Sequence, residues 1–176
     1  MRFLRRRLGV FAAIVLALSL STTAAVASEQ IAAAPTARSL LAEINAVRAR
    51  KGLRALRISH LLTAAADSHT LEMGRRGYFR HASYDGTPFW KRVRHFYPAE
   101  GYRTWSAGEN LLWASAGIDA RDAVKLWMGS PGHRANILNR SWRDIGISAR
   151  SFGAAPGTFQ GYDVTIITTD FGVRTR

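Results

Sequence analysis

The sequence feature that most constrains the fold is a β-branched run near the C-terminus, at residues 162–169. Weakly alternating apolar residues at 145–149 predict a second strand. The intervening segment 153–157 contains two glycines and a proline, so we expect the chain to reverse there and the two strands to pair antiparallel. Helical patterns occupy most of the chain before them. This order predicts an α+β protein, with helices on the faces of a small sheet and no second domain.

Four helices are predicted ahead of these strands from apolar spacing and capping residues. His69 falls on the apolar stripe of the second helix, which favours a hydrogen-bonded core histidine over a metal ligand. The loop after the third helix is predicted to cover 98–105. The predicted helix starts are Thr36 or Ser39, then Ser59, then Thr87 as a cap followed by Pro88, and finally Asp119.

The first 27 residues have the pattern of a secretory signal peptide. Four arginines at positions 2, 5, 6 and 7 precede a mostly apolar run at 8–20, and an Ala-Val-Ala sequence ends at residue 27. The apolar run is shorter than the roughly 20 residues that span a bilayer, although an uncleaved anchor and export by the twin-arginine route remain alternatives. We therefore predict a signal peptide at 1–27, a disordered leader at 28–38 and one domain at 39–176.

The charge of the chain predicts attraction to anionic partners outside the cell. The formal net charge is +13, and it falls to +9 when the four arginines of the signal peptide are removed. Such a surface favours anionic cell-surface polymers, whereas no basic-aromatic repeat indicates nucleic-acid binding. Solubility alone is an alternative explanation. The absence of cysteine excludes disulfides, thiolate metal ligands and cysteine nucleophiles.

Three short polar stretches stand out from this background: FRHAS at 79–83, AGENL at 107–111 and SPGHRANIL at 130–138. In the third, Pro131 and Gly132 predict the end of a helix, so that a turn would hold His133. Together with LAEINAVRARKG at 41–52 and TTDFG at 168–172, these stretches resemble the CAP superfamily of cysteine-rich secretory, antigen 5 and pathogenesis-related proteins. The likeness is greatest to short bacterial secreted members, and it implies a three-layer α-β-α sandwich with a small antiparallel sheet.

The same resemblance implies a cleft that contains His81, Glu109 and His133, with Asn110 and Ser130 beside them. Two imidazoles would bind Zn²⁺ weakly, and Glu109 would be the general base if the protein were an enzyme. A hydrogen-bonded network that needs no cofactor is equally consistent with these residue types. Ser130 stands where many family members have a second glutamate, which weakens the case for tight metal binding.

No familiar catalytic motif supports an enzyme. HExxH, G-x-S-x-G and a glycine-rich phosphate loop are all absent, although Ser83 and Ser130 lie near the two histidines. The resemblance therefore favours a secreted, non-enzymatic module that binds a lipid, sterol-like or glycan ligand. A metal-dependent hydrolase or peptidase that uses the same cleft is the alternative. Five aromatic residues are candidate walls for a ligand: Tyr84, Trp90, Tyr102, Trp105 and Trp113.

Overall fold

A computed structural model describes residues 34–115 and 117–176. The predicted signal peptide and most of the predicted leader lie outside these residues. Within the described residues, no helix is both long and apolar enough to cross a bilayer. The regular elements are α1 (Ala37–Ala49), β1 (Arg57–Ile58), α2 (His60–Arg76), α3 (Phe89–Phe96), β2 (Thr104–Ser115), α4 (Ala120–Gly129), α5 (Pro131–Leu138), β3 (Asp144–Phe152) and β4 (Val164–Thr175), with a short 3₁₀ turn at Gly157–Phe159.

The sheet has the strand order β1-β3-β4-β2. The long strands β2, β3 and β4 pair antiparallel, as predicted for 145–149 and 162–169. The two-residue strand β1 pairs parallel to β3, so the sheet is mixed rather than wholly antiparallel. Helix α2 begins two residues after β1, because Ser59 caps it.

Helices cover both faces of the sheet, which gives the predicted three layers. Helices α1, α4 and α5 enclose one apolar cluster with β3 and β4, and its members include Leu40, Ile44, Trp127, Ile137 and Phe171. Helices α2 and α3 contact each other and cover the opposite face. Burial of these two apolar surfaces is the main force that holds the layers together.

Helix α2 approaches the sheet closely because β3 carries a glycine. A Cβ atom on Gly146 would overlap the backbone of Leu62 and Thr63, so no larger residue fits there without moving the helix. The helix ends at Gly77, whose φ of 69° is in the left-handed region that glycine favours. His69 on this helix is fully buried and hydrogen-bonded to Arg80, which confirms its prediction as a core histidine.

Three predictions for local structure were wrong. Helix α4 ends at Gly129, just before Pro131, as predicted, but His133 is held by a second helix and not by a turn: Pro131 occupies the first turn of α5, where proline is favoured because it needs no N–H partner. Pro88, rather than Thr87, is the N-cap of α3, and the backbone N–H of Thr87 donates to Asp85 instead. The predicted loop at 98–105 overlaps the start of β2, which was missed because glycine, glutamate and asparagine are poor strand formers.

Candidate functional site

The candidate site surrounds the middle of strand β2, where successive side chains point to opposite faces of the sheet. Glu109 points toward α3, where it contacts Arg92. Asn110 points the other way, toward α5, where its side-chain amide donates to the carbonyl oxygen of His133 at 3.0 Å. In the described residues β2 is an edge strand, so groups from both faces meet beside it.

Glu109 is buried and both of its carboxylate oxygens are used. Oε1 lies 2.8 Å from Nδ1 of His81, and Oε2 accepts a hydrogen bond from Nη2 of Arg92. The glutamate side chain is 0% exposed, while the side chain of His81 is 53% exposed. The carboxylate therefore serves as an internal acceptor and is not open to a water molecule from solvent.

Arg92 connects this carboxylate to the segment that carries His81. Its Nη1 donates to the backbone oxygen of His81 at 3.2 Å and to Oγ of Ser83 at 3.0 Å. The guanidinium thus holds both ends of the interaction between His81 and Glu109. In the part of the chain that the structure describes, the hydroxyl of Ser83 accepts from Arg92 and has no hydrogen bond to a histidine that would activate it as a nucleophile.

The imidazole of His81 is oriented by these contacts. A carboxylate only accepts, so Nδ1 carries the proton and the lone pair is left on Nε2. The ring of Phe89 lies beside the imidazole, with 6.2 Å between their centroids. The pair therefore resembles the carboxylate–histidine pairs that orient metal-binding or hydrogen-bonding imidazoles in other proteins.

His133 lies in the first turn of α5 and is half-buried. Partial burial, followed by the influence of His81, lowers the pKa of His133. A network of amides holds α5 against β2. The side-chain amide of Asn136 donates to the backbone oxygen of Glu109 at 3.0 Å and to Oδ1 of Asn110 at 2.8 Å.

These contacts also cover the free edge of β2. The carbonyl oxygens of Glu109 and Leu111 point away from β4, and they accept from Asn136 and from the indole N–H of Trp127, respectively. Exposed strand edges can pair with other chains, and side-chain donors at these positions prevent it. Trp127 is itself fully buried, so its indole N–H is available only to the carbonyl oxygen of Leu111.

Sequence reasoning missed two groups behind the site, Arg92 and Asp170. Asp170 lies directly opposite Glu109 on β4 and is fully buried. Burial and the neighbouring Glu109 raise the pKa of Asp170 well above its usual value, which favours its neutral form. Arg92 could have been found from its place three residues after Phe89 and one before Val93, on the apolar side of α3.

His69 completes this buried polar group. Burial lowers the pKa of His69 to about 4, against the opposing influence of Glu109, so the ring is neutral at physiological pH. Its Nε2 lies 2.9 Å from the carbonyl oxygen of Arg80, and its Nδ1 lies 3.5 Å from the hydroxyl of Tyr78. The ring therefore holds the backbone next to His81.

Ser130 is placed differently from the other candidate residues. It forms the junction between α4 and α5, where its backbone N–H donates to Trp127 and its carbonyl accepts from Arg134. It lies at the end of a groove that includes Ile118 and Leu126. Its contacts in the described residues are thus those of a helix junction.

A zinc site would have to be built from His81 and His133. Catalytic zinc sites normally have three protein ligands, and Glu109 is unavailable as the third because Arg92 and His81 use its oxygens. Among residues 34–115 and 117–176, no group of three or more His, Asp or Glu side chains is arranged to hold a metal ion. The residues fit two imidazole ligands with Glu109 as the group that orients one of them, and they do not fit an open catalytic zinc site.

Comparison with known proteins agrees with this architecture. The model of the cysteine-rich secretory protein family, also called CAP, matches residues 41–162. The chain therefore belongs to the CAP family. It is 38% identical over 104 residues to the uncharacterized protein YkwD of Bacillus subtilis, a match that covers 58% of this chain and 38% of that protein. The membrane protein YlbC of the same organism is 29% identical over 104 residues, covering 58% of this chain and 28% of that protein.

Two solved structures share the fold at low sequence identity. An extracellular protein from Bacillus anthracis that contains an SCP domain matches with a TM-score of 0.58 and 23% identity, over 79% of this chain and 40% of that one. An outer surface protein from Borrelia burgdorferi matches with the same TM-score and identity, over 78% of this chain and 92% of that one. The matches to YkwD, YlbC and the Bacillus anthracis protein each extend over less than half of the other protein's length.

Proposed function

We propose that this protein is a secreted, non-catalytic binding module, with its ligand site formed by His81, His133 and the exposed residues around them. The observation that carries the proposal is the state of Glu109. Both carboxylate oxygens are engaged and the side chain is fully buried, so it orients His81 rather than activating water. A general base must reach the proton that it removes, and Glu109 does not reach solvent.

Among lipid, sterol-like and glycan ligands, we favour a glycan. Nε2 of His81 offers a hydrogen-bond acceptor at the surface, and two aromatic residues close to it in the chain are exposed. Tyr84 is 50% exposed and Trp90 is 43% exposed. Sugar rings combine hydroxyl groups with an apolar face, so they match an exposed imidazole on a surface that also carries exposed aromatic rings. A lipid or sterol would be better served by an enclosed apolar cavity.

The test is a binding screen with the purified protein against a glycan array, sterols and phospholipid vesicles, followed by titration of any hit. We expect the double variant His81→Ala/His133→Ala to bind at least about tenfold more weakly, a loss of about 1.4 kcal/mol. The matched control is His60→Ala/His95→Ala, because those two histidines are also exposed but lie elsewhere. It should bind as the parent does.

Three results would overturn parts of the proposal. Equal binding by His81→Ala/His133→Ala and the parent would show that these two histidines do not form the ligand site. Binding of sterol or vesicles in place of glycans would change the ligand class. Turnover of a peptide or cell-wall substrate that requires zinc and is lost in Glu109→Gln would establish the hydrolase alternative, which the pairing of His81 with a carboxylate keeps open.

A further inference from the structure

A second feature of the surface is a group of arginines at the end of the sheet where β2 begins and β4 ends. Arg103 directly precedes β2, and its backbone N–H donates to Thr175 at the end of β4. Arg174 lies opposite Trp105 in the same ladder. We call Arg103, Arg174 and Arg176 the Tyr102 arginine cluster, because Arg174 and Arg176 lie beside the ring of Tyr102 and Arg103 is hydrogen-bonded to Arg176.

Tyr102 lies beside two of the three arginines, and the third is hydrogen-bonded to one of these. The guanidinium carbon of Arg174 lies 4.4 Å from the centroid of Tyr102 and 4.1 Å from that of Tyr97. The guanidinium carbon of Arg176 lies 5.9 Å from the centroid of Tyr102. Nη2 of Arg103 donates to the carbonyl oxygen of Arg176 at 3.2 Å. Arg174 is thus held between two aromatic rings, which fixes its position before any ligand binds.

The carboxylates near this cluster are engaged by other groups. Asp144 accepts from the hydroxyl of Tyr97 at 2.8 Å and lies 3.5 Å from Arg57, and Glu100 pairs with Arg94 at 3.1 Å. Among the ion pairs of the described residues, none includes a member of the Tyr102 arginine cluster. Three guanidinium groups therefore share one surface on which the neighbouring Asp and Glu side chains are paired elsewhere, an arrangement that favours binding of an anion.

From this geometry we infer that the Tyr102 arginine cluster binds a phosphodiester polymer. The planar fork of arginine matches the two unesterified oxygens of a phosphodiester, and several guanidiniums in a row match a repeating charge. A diester keeps its charge at any pH at which the protein is folded. A soluble polymer, rather than a membrane, is favoured because the partners of the cluster are polar groups and tyrosines and the cluster presents no apolar anchor.

This surface is separate from the site around His81. Trp105, which pairs with Arg174, precedes Glu109 by four residues on the same face of β2, a separation of about 14 Å at the usual rise of a strand. Binding at the arginine cluster therefore does not depend on the proposed function, and the two can fail independently.

The test measures binding of poly(glycerol phosphate) by isothermal titration calorimetry over a range of salt concentrations. We expect Arg103→Gln/Arg176→Gln to bind about tenfold more weakly. The slope of log K against log salt should become shallower by about 0.7 for each phosphate that the variant no longer neutralises. Both residues are exposed, so this variant should fold normally. The triple variant that adds Arg174→Gln should bind still more weakly, and its circular dichroism spectrum checks its folding.

The matched control is Arg38→Gln/Arg75→Gln, which removes the same charge from exposed positions on α1 and α2. The affinity of this control for poly(glycerol phosphate) should fall by less than about twofold. Equal loss in the two double variants would overturn the inference, because diffuse charge would then explain binding. Absence of binding by the parent at physiological salt would also overturn it. Binding of phosphatidylglycerol vesicles or polygalacturonate, but not of poly(glycerol phosphate), would assign the cluster to a membrane or a carboxylate polymer instead.

Discussion

The two faces of strand β2 hold the candidate site in different ways. On the side of α3, buried ionisable groups hold the site: the ion pair of Glu109 with Arg92, and Asp170, whose pKa is raised. On the side of α5, neutral amides hold the site, because Asn110 and Asn136 bridge the strand to the helix. Buried ions depend on one another, since each is costly without its partner, whereas an amide network loses only the bonds of the group removed. The difference predicts unequal sensitivity to mutation and to pH.

Removal of Arg92 should have the largest effect. Arg92→Met leaves Glu109 buried without its cation, and breaking a buried ion pair in this way costs about 3–5 kcal/mol of unfolding free energy. Urea denaturation at neutral pH measures this loss. The matched control is Arg94→Met on the same helix, because Arg94 forms an exposed pair with Glu100 and should cost at most about 1 kcal/mol. Similar losses of unfolding free energy in Arg92→Met and Arg94→Met would show that buried ions do not hold the site on the side of α3.

The charged side should also show a specific pH dependence through His69. The folded pKa of His69 is lowered to about 4 from 6.5, so below pH 6.5 the unfolded state binds a proton that the folded state refuses. The neutral His69 therefore makes its full contribution to the free energy of unfolding above pH 6.5. This contribution is lost as the pH falls toward 4, and the loss approaches about 3 kcal/mol.

Asp170 acts in the opposite direction. Its pKa is raised, so the folded state keeps a proton that the unfolded state releases, and its contribution falls as the pH rises. The effect of His69 is therefore best measured in Asp170→Asn, by comparing urea unfolding of that variant with Asp170→Asn/His69→Gln from pH 6.5 down to 4.5. Parallel curves for the two variants would contradict the assignment of a buried neutral His69.

The amide side should respond less strongly. Asn136→Ala removes two hydrogen bonds and leaves two acceptors without a donor, which should cost about 1–3 kcal/mol. Asn139→Ala is the control, because Asn139 accepts a single exposed bond from Ser141 and should cost less than about 1 kcal/mol. Thermal and urea unfolding measure both. A loss for Asn136→Ala as large as that for Arg92→Met would remove the distinction between the two sides.

The smallest effect is expected from metal. Because a zinc ion would find two imidazole ligands here and no third from Glu109, chelation with EDTA should change the melting temperature by less than about 2 °C, which corresponds to less than about 1 kcal/mol. Differential scanning calorimetry with zinc and with EDTA measures this. A large rise in melting temperature with zinc that disappears in both His81→Ala and His133→Ala would show a metal site that joins the two sides. Tight binding to the folded state alone adds several kcal/mol to the free energy of unfolding.

Local signals were sufficient for much of the fold. The caps at Thr36, Ser59 and Asp119 were predicted from residue type, and each accepts a hydrogen bond from the first turn of its helix. The pair of strands β3 and β4 followed from β-branched residues and the turn between them. These features depend on neighbours in the chain, which is why the sequence alone was enough. The resemblance added the family and the association of His81 with Glu109, which no spacing in the sequence could give.

Tertiary structure decided what local signals could not. Strand β2 has residues that disfavour strands, and it forms because β4 supplies a full ladder beside it. Residues 131–138 became a helix because Asn136 and Ile137 are held by β2 and the apolar cluster. Arg92 and Asp170 were found only in the folded protein. A charge can be buried only where long-range packing provides its partner or its proton, and neither is visible along the chain.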